Sequence, residues 1–433
     1  MDGINSWWGS TWLVSVGVVA LGLGPVRAEG PPFNAEVVGE WDGYGGTYGD
    51  IWGEGDYAYV GQFGGSSVLI LDVSDPTTPV LAATYSIPPP NQSASAQDLK
   101  VGDGLLFIAL EANDGPDDVE IVDVRDPTNP TPVAIINIAE LGDPHNIFYD
   151  RGFLYMVDDD RVGIVDLRDL DPDDPPAGPI TELFWLMEGV GNQFVHDVTV
   201  GLRPSGETWM YACVWDSGLW IYDATNVADE PPVFLASAAG ESTHSVWPTD
   251  DGRFVVTGEE RTGGGITVFE VIEMGDTVSL EYRDSVAVSQ NEAFSVHNQF
   301  CVGNRVYNAW YGAGMRAYDI DPVTGLLTLA SSLDTEGAFW GIYPLLGTDR
   351  LLLSDMSNGL VVIADLAPLP ETCDGDANGD GTVDPLDSGF VLARFGCSVG
   401  MGDPACDAAD QNGDGAVDPL DSGFVLARFG ECE

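Results

Sequence analysis

The chain has four histidines, His145, His196, His244 and His297, and each opens a segment of one kind. The segments read His145-Asn146-Ile147, His196-Asp197-Val198, His244-Ser245-Val246 and His297-Asn298-Gln299, a polar start followed by a strand former. Neutral imidazole is the commonest protein ligand for transition metals, and a carboxylate on the second ring nitrogen fixes which nitrogen faces the ion. Acids and amides recur at the far end of the next strand-like segment, as Gln62, Glu111, Asp158, Asp216, Glu259 and Asp355. Four histidines in register, with Glu111, Asp158, Asp216 and Glu259 behind them, make a candidate transition-metal or ligand site of oxygenase-like or hydrolase-like chemistry. A second reading stays open. Repeats inherited by duplication can carry His in register as a structural hydrogen bond between neighbouring units, with no ion.

A different chemistry is written near the C-terminus. DANGDGTVDPLD from Asp376 and DQNGDGAVDPLD from Asp410 are twelve-residue loops with oxygen ligands at positions 1, 3, 5 and 12, a carbonyl at 7 and Gly at 6. That pattern predicts two calcium ions. The side-chain ligands are Asp376, Asn378, Asp380 and Asp387 in the first loop, and Asp410, Asn412, Asp414 and Asp421 in the second. Thr382 and Ala416 supply carbonyls, and Asp384 and Asp418 act through water.

The elements that must position the histidines are short strands. Ser67 to Leu81 reads SVLILDVSDPTTPVL, an aliphatic run that ends on an acid and breaks at Asp-Pro, where Pro has no N–H for the ladder. Related segments start at Val119, Val162, Leu219, Ile266, Met315 and Leu360. Each follows an aromatic or aliphatic strand such as Asp56 to Phe63, and that follows a strand with the polar start. Four strands per unit, repeated around a ring, predict an all-β, seven-bladed β-propeller, with six and eight blades as the other counts. The last unit lacks a fourth strand, and Asn34 to Trp41 is placed to supply it. The inner strands then begin at the mouth of the central channel, where the four imidazoles converge.

The repeated strand, Asp, Asp-Pro units resemble the LVIVD repeat of secreted propellers called choice-of-anchor B proteins, over residues 34 to 366. VSDPTTPV and VRDPTNPTPV carry the resemblance most closely. It implies a propeller in a cell-surface setting and no settled reaction. Carotenoid-cleaving oxygenases, also seven-bladed, hold iron on four histidines, an analogy of fold without a shared motif. Residues 373 to 432 resemble a type I dockerin module, since each calcium loop runs into the same VDPLDSGFVLARFG, with Asp at position 12 and one helix per loop. The resemblance implies a small α-helical, EF-hand-like domain that docks on a cohesin-like or other surface protein, as components of polysaccharide degradation do. Pro385-Leu386 and Pro419-Leu420 stand where dockerins carry a small polar pair, so the partner need not be a cellulosomal cohesin.

Composition bounds the rest. Fifteen basic residues against 70 acidic ones give a net charge of −55, and Lys100 is the one lysine. Such a surface repels phosphate backbones and anionic headgroups, which excludes nucleic-acid binding. Residues 1–28 read as a signal peptide, with an apolar run from Trp12 to Gly24 and Val26-Arg27-Ala28 before the cleavage point. Its start carries Asp2 and no basic residue, which leaves an uncleaved anchor as the other reading. No later stretch approaches the roughly 20 apolar residues of a membrane helix. Cys213 and Cys301 read as buried thiols. Cys373, Cys397, Cys406 and Cys432 read as two disulfides, for which three pairings exist and Cys397–Cys406 with Cys373–Cys432 is favoured. The division is 1–28 signal peptide, 29–366 propeller, 367–372 linker and 373–433 dockerin-like domain. The function expected is a secreted binding or adhesion module with an unidentified ligand on its propeller face. A metalloenzyme and a polysaccharide-degradation component are the alternatives.

Overall fold

The computed structural model describes residues 33–367 apart from 44, 112–116, 189–192, 276, 289–294 and 335–336, and in the tail residues 377, 383, 385–397, 406, 409–411 and 416–426. The strands form seven four-stranded antiparallel sheets, each a blade. Blade 1 is Tyr48–Glu54, Tyr57–Gln62, Ser67–Asp72 and Val80–Ser86 from axis to rim, and blades 2 to 6 repeat that order. In blade 7 the strands Phe339–Leu345, Arg350–Asp355 and Gly359–Asp365 come from the end of the ring, and the outer strand is Ala35–Trp41 from its start. Ala35 pairs with Asp365 and Trp41 with Leu360, so the segment expected to complete the last blade does so.

The acids that end each third strand are turn formers. Asp72 Oδ1 accepts from the Ser74 backbone N–H at 2.9 Å, and Asp123, Asp166 and Asp223 accept from the N–H groups of Arg125, Arg168 and Thr225. Asp75, within the Asp-Pro step, accepts from Thr77 in the same way. These bonds satisfy backbone groups freed where the ladder stops. Asp319 departs from the series and is turned onto Arg305.

Apolar layers lie between blades. Tyr59, Val68 and Ile70 of blade 1 pack with Leu99, Leu106 and Ile108 of blade 2, and equivalent clusters fill the other gaps. Each blade is therefore covered on both faces only when its neighbours are in place.

Closure has a polar clasp. The Arg305 side chain, fully buried in blade 6, donates to Asp319 at 2.6 Å and crosses to Asp365 of blade 7 at 2.9 Å and to the Ala367 carbonyl at 3.2 Å. Tyr307 Oη also donates to Asp365. In the tail, helices Pro385–Leu392 and Pro419–Leu426 pack together, Ser388 Oγ lies 2.9 Å from Ser422 Oγ, and Cys397 is bonded to Cys406. Cys373 and Cys432, like the signal segment, lie outside the described residues. Cys213 and Cys301 are free and buried.

Removing one partner of a buried ion pair strands the other charge. Arg305→Met is expected to destabilise the fold by about 3–5 kcal/mol in denaturant unfolding. Arg168→Met, which breaks a pair with Asp166 at the surface, is expected to leave the unfolding midpoint nearly unchanged.

Candidate functional site

The inner strands are irregular where they start, and that irregularity aims the histidines. Pairing with the second strand skips one residue between Thr243 and Ser245 and between Phe339 and Gly341, and two between Val296 and Gln299 and between Tyr48 and Ile51. The residues left over are His244, Trp340, His297 with Asn298, and Gly49 with Asp50. A bulge turns its extra side chain away from the alternation of the strand. His145 and His196 instead lie just before the first strands of blades 3 and 4, held by bonds from their own N–H groups to the carbonyls of Val157 and Cys213.

The four imidazoles form a continuous arc around the mouth. Successive ring centroids are 4.4, 4.1 and 4.3 Å apart from His145 to His196, His244 and His297. His145 Nε2 lies 3.0 Å from His196 Nε2. The other nitrogens are tied outward. His145 Nδ1–H donates to Glu111 Oε1 at 2.8 Å, and His297 Nδ1–H donates to the Trp340 carbonyl of the next blade at 2.7 Å. The rings of His196 and His244 face the backbone of His244 and His297 in the same sense, although their Nδ1 atoms reach no full hydrogen bond. Trp215 stacks on His196, and Trp340 and Tyr311 pack on His297.

Glu260 closes the arc. Its carboxylate oxygens lie 3.6 Å from His244 Nε2 and 3.9 Å from His297 Nε2, and the Tyr311 hydroxyl donates to it. His196, His244 and Glu260 each present a donor atom within 4.8 Å of the others. The enclosed cavity is about 110 Å³, lined also by Gln97, Asp98, Asn146, Asp197 and Asn298.

Beneath the arc lies a layer of charge. Lys100 Nζ donates to Asp98 at 2.8 Å and to Asp50 at 2.9 Å, all three side chains being buried. Burial alone would lower the Lys100 pKa, and the two carboxylates more than offset it, so the amine stays protonated. Burial raises Asp98 well above the usual carboxylate range and raises Asp197 to about 7. Deeper still, Trp52 of blade 1 reaches across the axis to Phe148, Trp247, Phe300 and Tyr343, with centroids 4.9 to 6.5 Å away. This aromatic cluster fills the axis below the charged layer, with a smaller cavity of about 40 Å³ where the two layers meet.

Burial and the neighbouring imidazoles hold His196 and His244 far below the ordinary histidine range, and burial lowers His297 to about 3. These three are neutral bases at any physiological pH. Burial would lower His145 too, but the Glu111 carboxylate outweighs it and the net shift is upward. Burial raises Glu260.

The histidines and Glu111 come together as the spacing implies. Asp158 accepts from the Gly142 N–H, and Glu259 pairs with Arg261 at 2.9 Å; neither reaches a ring. Asp216 lies at the turn between the second and third strands of blade 4, with no bond to an imidazole among the described residues. Glu260, the residue after Glu259, faces the cavity in its place. Lys100, Asp98, Asp197 and Tyr311 are the other side chains sequence reasoning passed over, although the first three sit in or next to the polar starts. Of the calcium ligands, Asp376, Asn378, Asp380, Thr382, Asp384, Asn412 and Asp414 lie outside the described residues. Asp387 and Asp421 are fully buried at the starts of the two helices, and Asp418 Oδ1 accepts from the Leu420 N–H.

Comparison with known proteins places the repeats. The LVIVD repeat model matches residues 45–86 and 93–137, which are blades 1 and 2. No curated protein matches the chain. Among solved structures, U3-55K aligns at a TM-score of 0.56 and 9% identity, over 77% of this chain and 100% of that one. The β-propeller domain of Cps50 from Myceliophteria thermophila aligns at 0.54 and 14%, over 76% and 99%. At such identities the likeness is one of fold. The chain is thus a seven-bladed β-propeller carrying LVIVD repeats, a general binding and scaffold architecture.

Glu111→Gln removes the charge that holds a proton on His145. The His145 pKa, followed by NMR, is expected to fall below its wild-type value. The folded value is raised, so the pair's contribution is complete below the unfolded value near 6.5 and is lost as pH rises through the folded one. The variant is therefore expected to lose stability most at acid pH and least above neutrality.

Proposed function

We propose that this chain is an exported, surface-attached binding protein that takes its ligand in the axial pocket of the propeller. The observation that carries the reading is the pocket itself: an axial cavity of about 110 Å³ with four imidazoles and Glu260 converging on it. Ligand sites favour concave places where a few polar groups converge. Export rests on the apolar run from Trp12 to Gly24 and on four cysteines in the last segment, where Cys397 and Cys406 are joined.

Attachment falls to the tail, read as a dockerin-like module with two calcium ions. Its support is the repeated loop pattern, the burial of Asp387 and Asp421 at position 12 of each loop, and the packing of two identical helices through Ser388 and Ser422. Leu386 and Leu420, beside those acids, are 66% and 65% exposed, an apolar pair offered to a cohesin-like or other surface protein. A role in polysaccharide breakdown rests on the dockerin resemblance alone.

Washing intact source cells with EGTA, and in parallel with magnesium buffer, tests both halves of the proposal. Release of the chain by EGTA and not by magnesium is the expected result. Finding it inside the cells overturns export, and finding it outside but released by neither wash overturns calcium-dependent attachment.

A further inference from the structure

We propose that His196, His244 and Glu260 hold a divalent first-row transition-metal ion, with His145 and His297 flanking it. The proposal rests on the axial pocket being the binding site and is independent of export and attachment.

The donor set comes first. Two imidazoles and a carboxylate, with donor atoms within 4.8 Å of one another, can all reach one ion at metal–ligand distances of roughly 2.0 to 2.2 Å after small side-chain shifts. Nitrogen-rich sites select zinc, iron, cobalt or their neighbours, whereas calcium and magnesium take oxygen ligands. The tail loops, with oxygen ligands only, and the axial pocket are thus built for different ions.

The arrangement also makes sense of a crowded interior. Ring nitrogens of His145 and His196 point at each other across 3.0 Å, and His244 is 3% exposed with its Nδ1 unpartnered and its Nε2 no closer than 3.6 Å to Glu260. An ion held by the cavity-facing Nε2 atoms of His196 and His244 would leave each ring's proton on Nδ1, turned toward the backbone of the next blade. Among the described residues no arginine lines the cavity, and Lys100 is committed to Asp50 and Asp98. An ion would add a positive charge directly against Glu260, beside the more distant one on His145.

Outer contacts are in place as well. His297 Nδ1–H is held by the Trp340 carbonyl, which leaves Nε2 as the lone-pair nitrogen on the cavity side. The Tyr311 hydroxyl on Glu260 orients the carboxylate and makes Tyr311 a positioning residue. Three protein ligands leave coordination positions toward the open mouth, where an oxygen-donor ligand or water can bind the ion directly.

The test is metal content of the full chain purified without chelator, followed by Co²⁺ titration read in its visible spectrum. About one transition-metal ion per chain is expected, besides the calcium of the tail. His196→Ala/His244→Ala should lose that ion and the cobalt spectrum while retaining the calcium. Glu260→Gln, which keeps shape and so covers the case where the double variant misfolds, should weaken Co²⁺ binding by more than about 100-fold. Tyr311→Phe should weaken it by about 10-fold, at the low end for an outer-shell partner. No transition metal and no cobalt spectrum in the wild type overturns the proposal. So does cobalt binding unchanged in Glu260→Gln. Metal bound as expected, in a chain that fails the export test, would leave this site standing and remove only the surface role.

Discussion

Seven inner strands must share one axis, and the antiparallel pairing of Ala35–Trp41 with Gly359–Asp365 is what obliges them to. Without that strand the seventh blade has a bare edge and the ring no covalent continuity between its first and last turns of chain. With it, every blade is packed on both faces, and equivalent residues of consecutive blades are carried to the same depth around the channel. The His145 to His297 arc is a direct consequence: each ring sits one blade from the next, and neighbouring centroids differ in spacing by only a few tenths of an ångström. Arg305 reinforces the same seam from inside blade 6, where the loss of its charge would leave the buried Asp365 carboxylate without a counter-charge.

Depth along the axis then sorts the chemistry. The first layer holds neutral imidazoles, whose protonation is opposed by burial and by one another. The second holds Lys100 in ion pairs with Asp50 and Asp98, with Asp197 nearby, where burial favours retention of the proton. The third is aromatic and centred on Trp52. A cation entering from the mouth would meet lone pairs and Glu260 first, and meet the fixed ammonium of Lys100 only further in. The pocket is thus polarised along the axis, attractive to a cation at the rim and less so below. The strongly acidic surface adds a long-range pull in the same direction, one that salt weakens.

Much of this was legible in residue spacing. The alternating aliphatics ending at Asp72, Asp123 and Asp166 fixed strands and turns, since each Asp carboxylate accepts from the N–H two residues on where the ladder must stop. The in-register histidines gave their own convergence, because any residue at a constant offset in a propeller blade lands at a constant depth. The partners were harder to read. Glu259 and Glu260 are adjacent and chemically alike, and which one faces the axis depends on the strand ending at Glu259 and on the Glu260 N–H being drawn to the Ser242 carbonyl. Tyr311 was passed over because an aromatic at a strand end ordinarily reads as core. The bulges at His244 and Trp340 break the two-residue alternation from which side-chain direction is inferred, so strand periodicity alone would have turned those side chains the wrong way.

The most direct test of the central idea, that the packing of blades 4 and 5 around the propeller axis assembles a metal centre from His196, His244 and Glu260, is anomalous diffraction from crystals of the full chain grown without chelator. Difference maps collected above and below the absorption edge of the metal found in solution should show one strong peak on the propeller axis, among His196, His244 and Glu260. Calcium, if the tail loops hold it, would not change across that edge. Crystals of metal-replete protein with no peak on the axis, or with the peak bound elsewhere on the acidic surface, would contradict it.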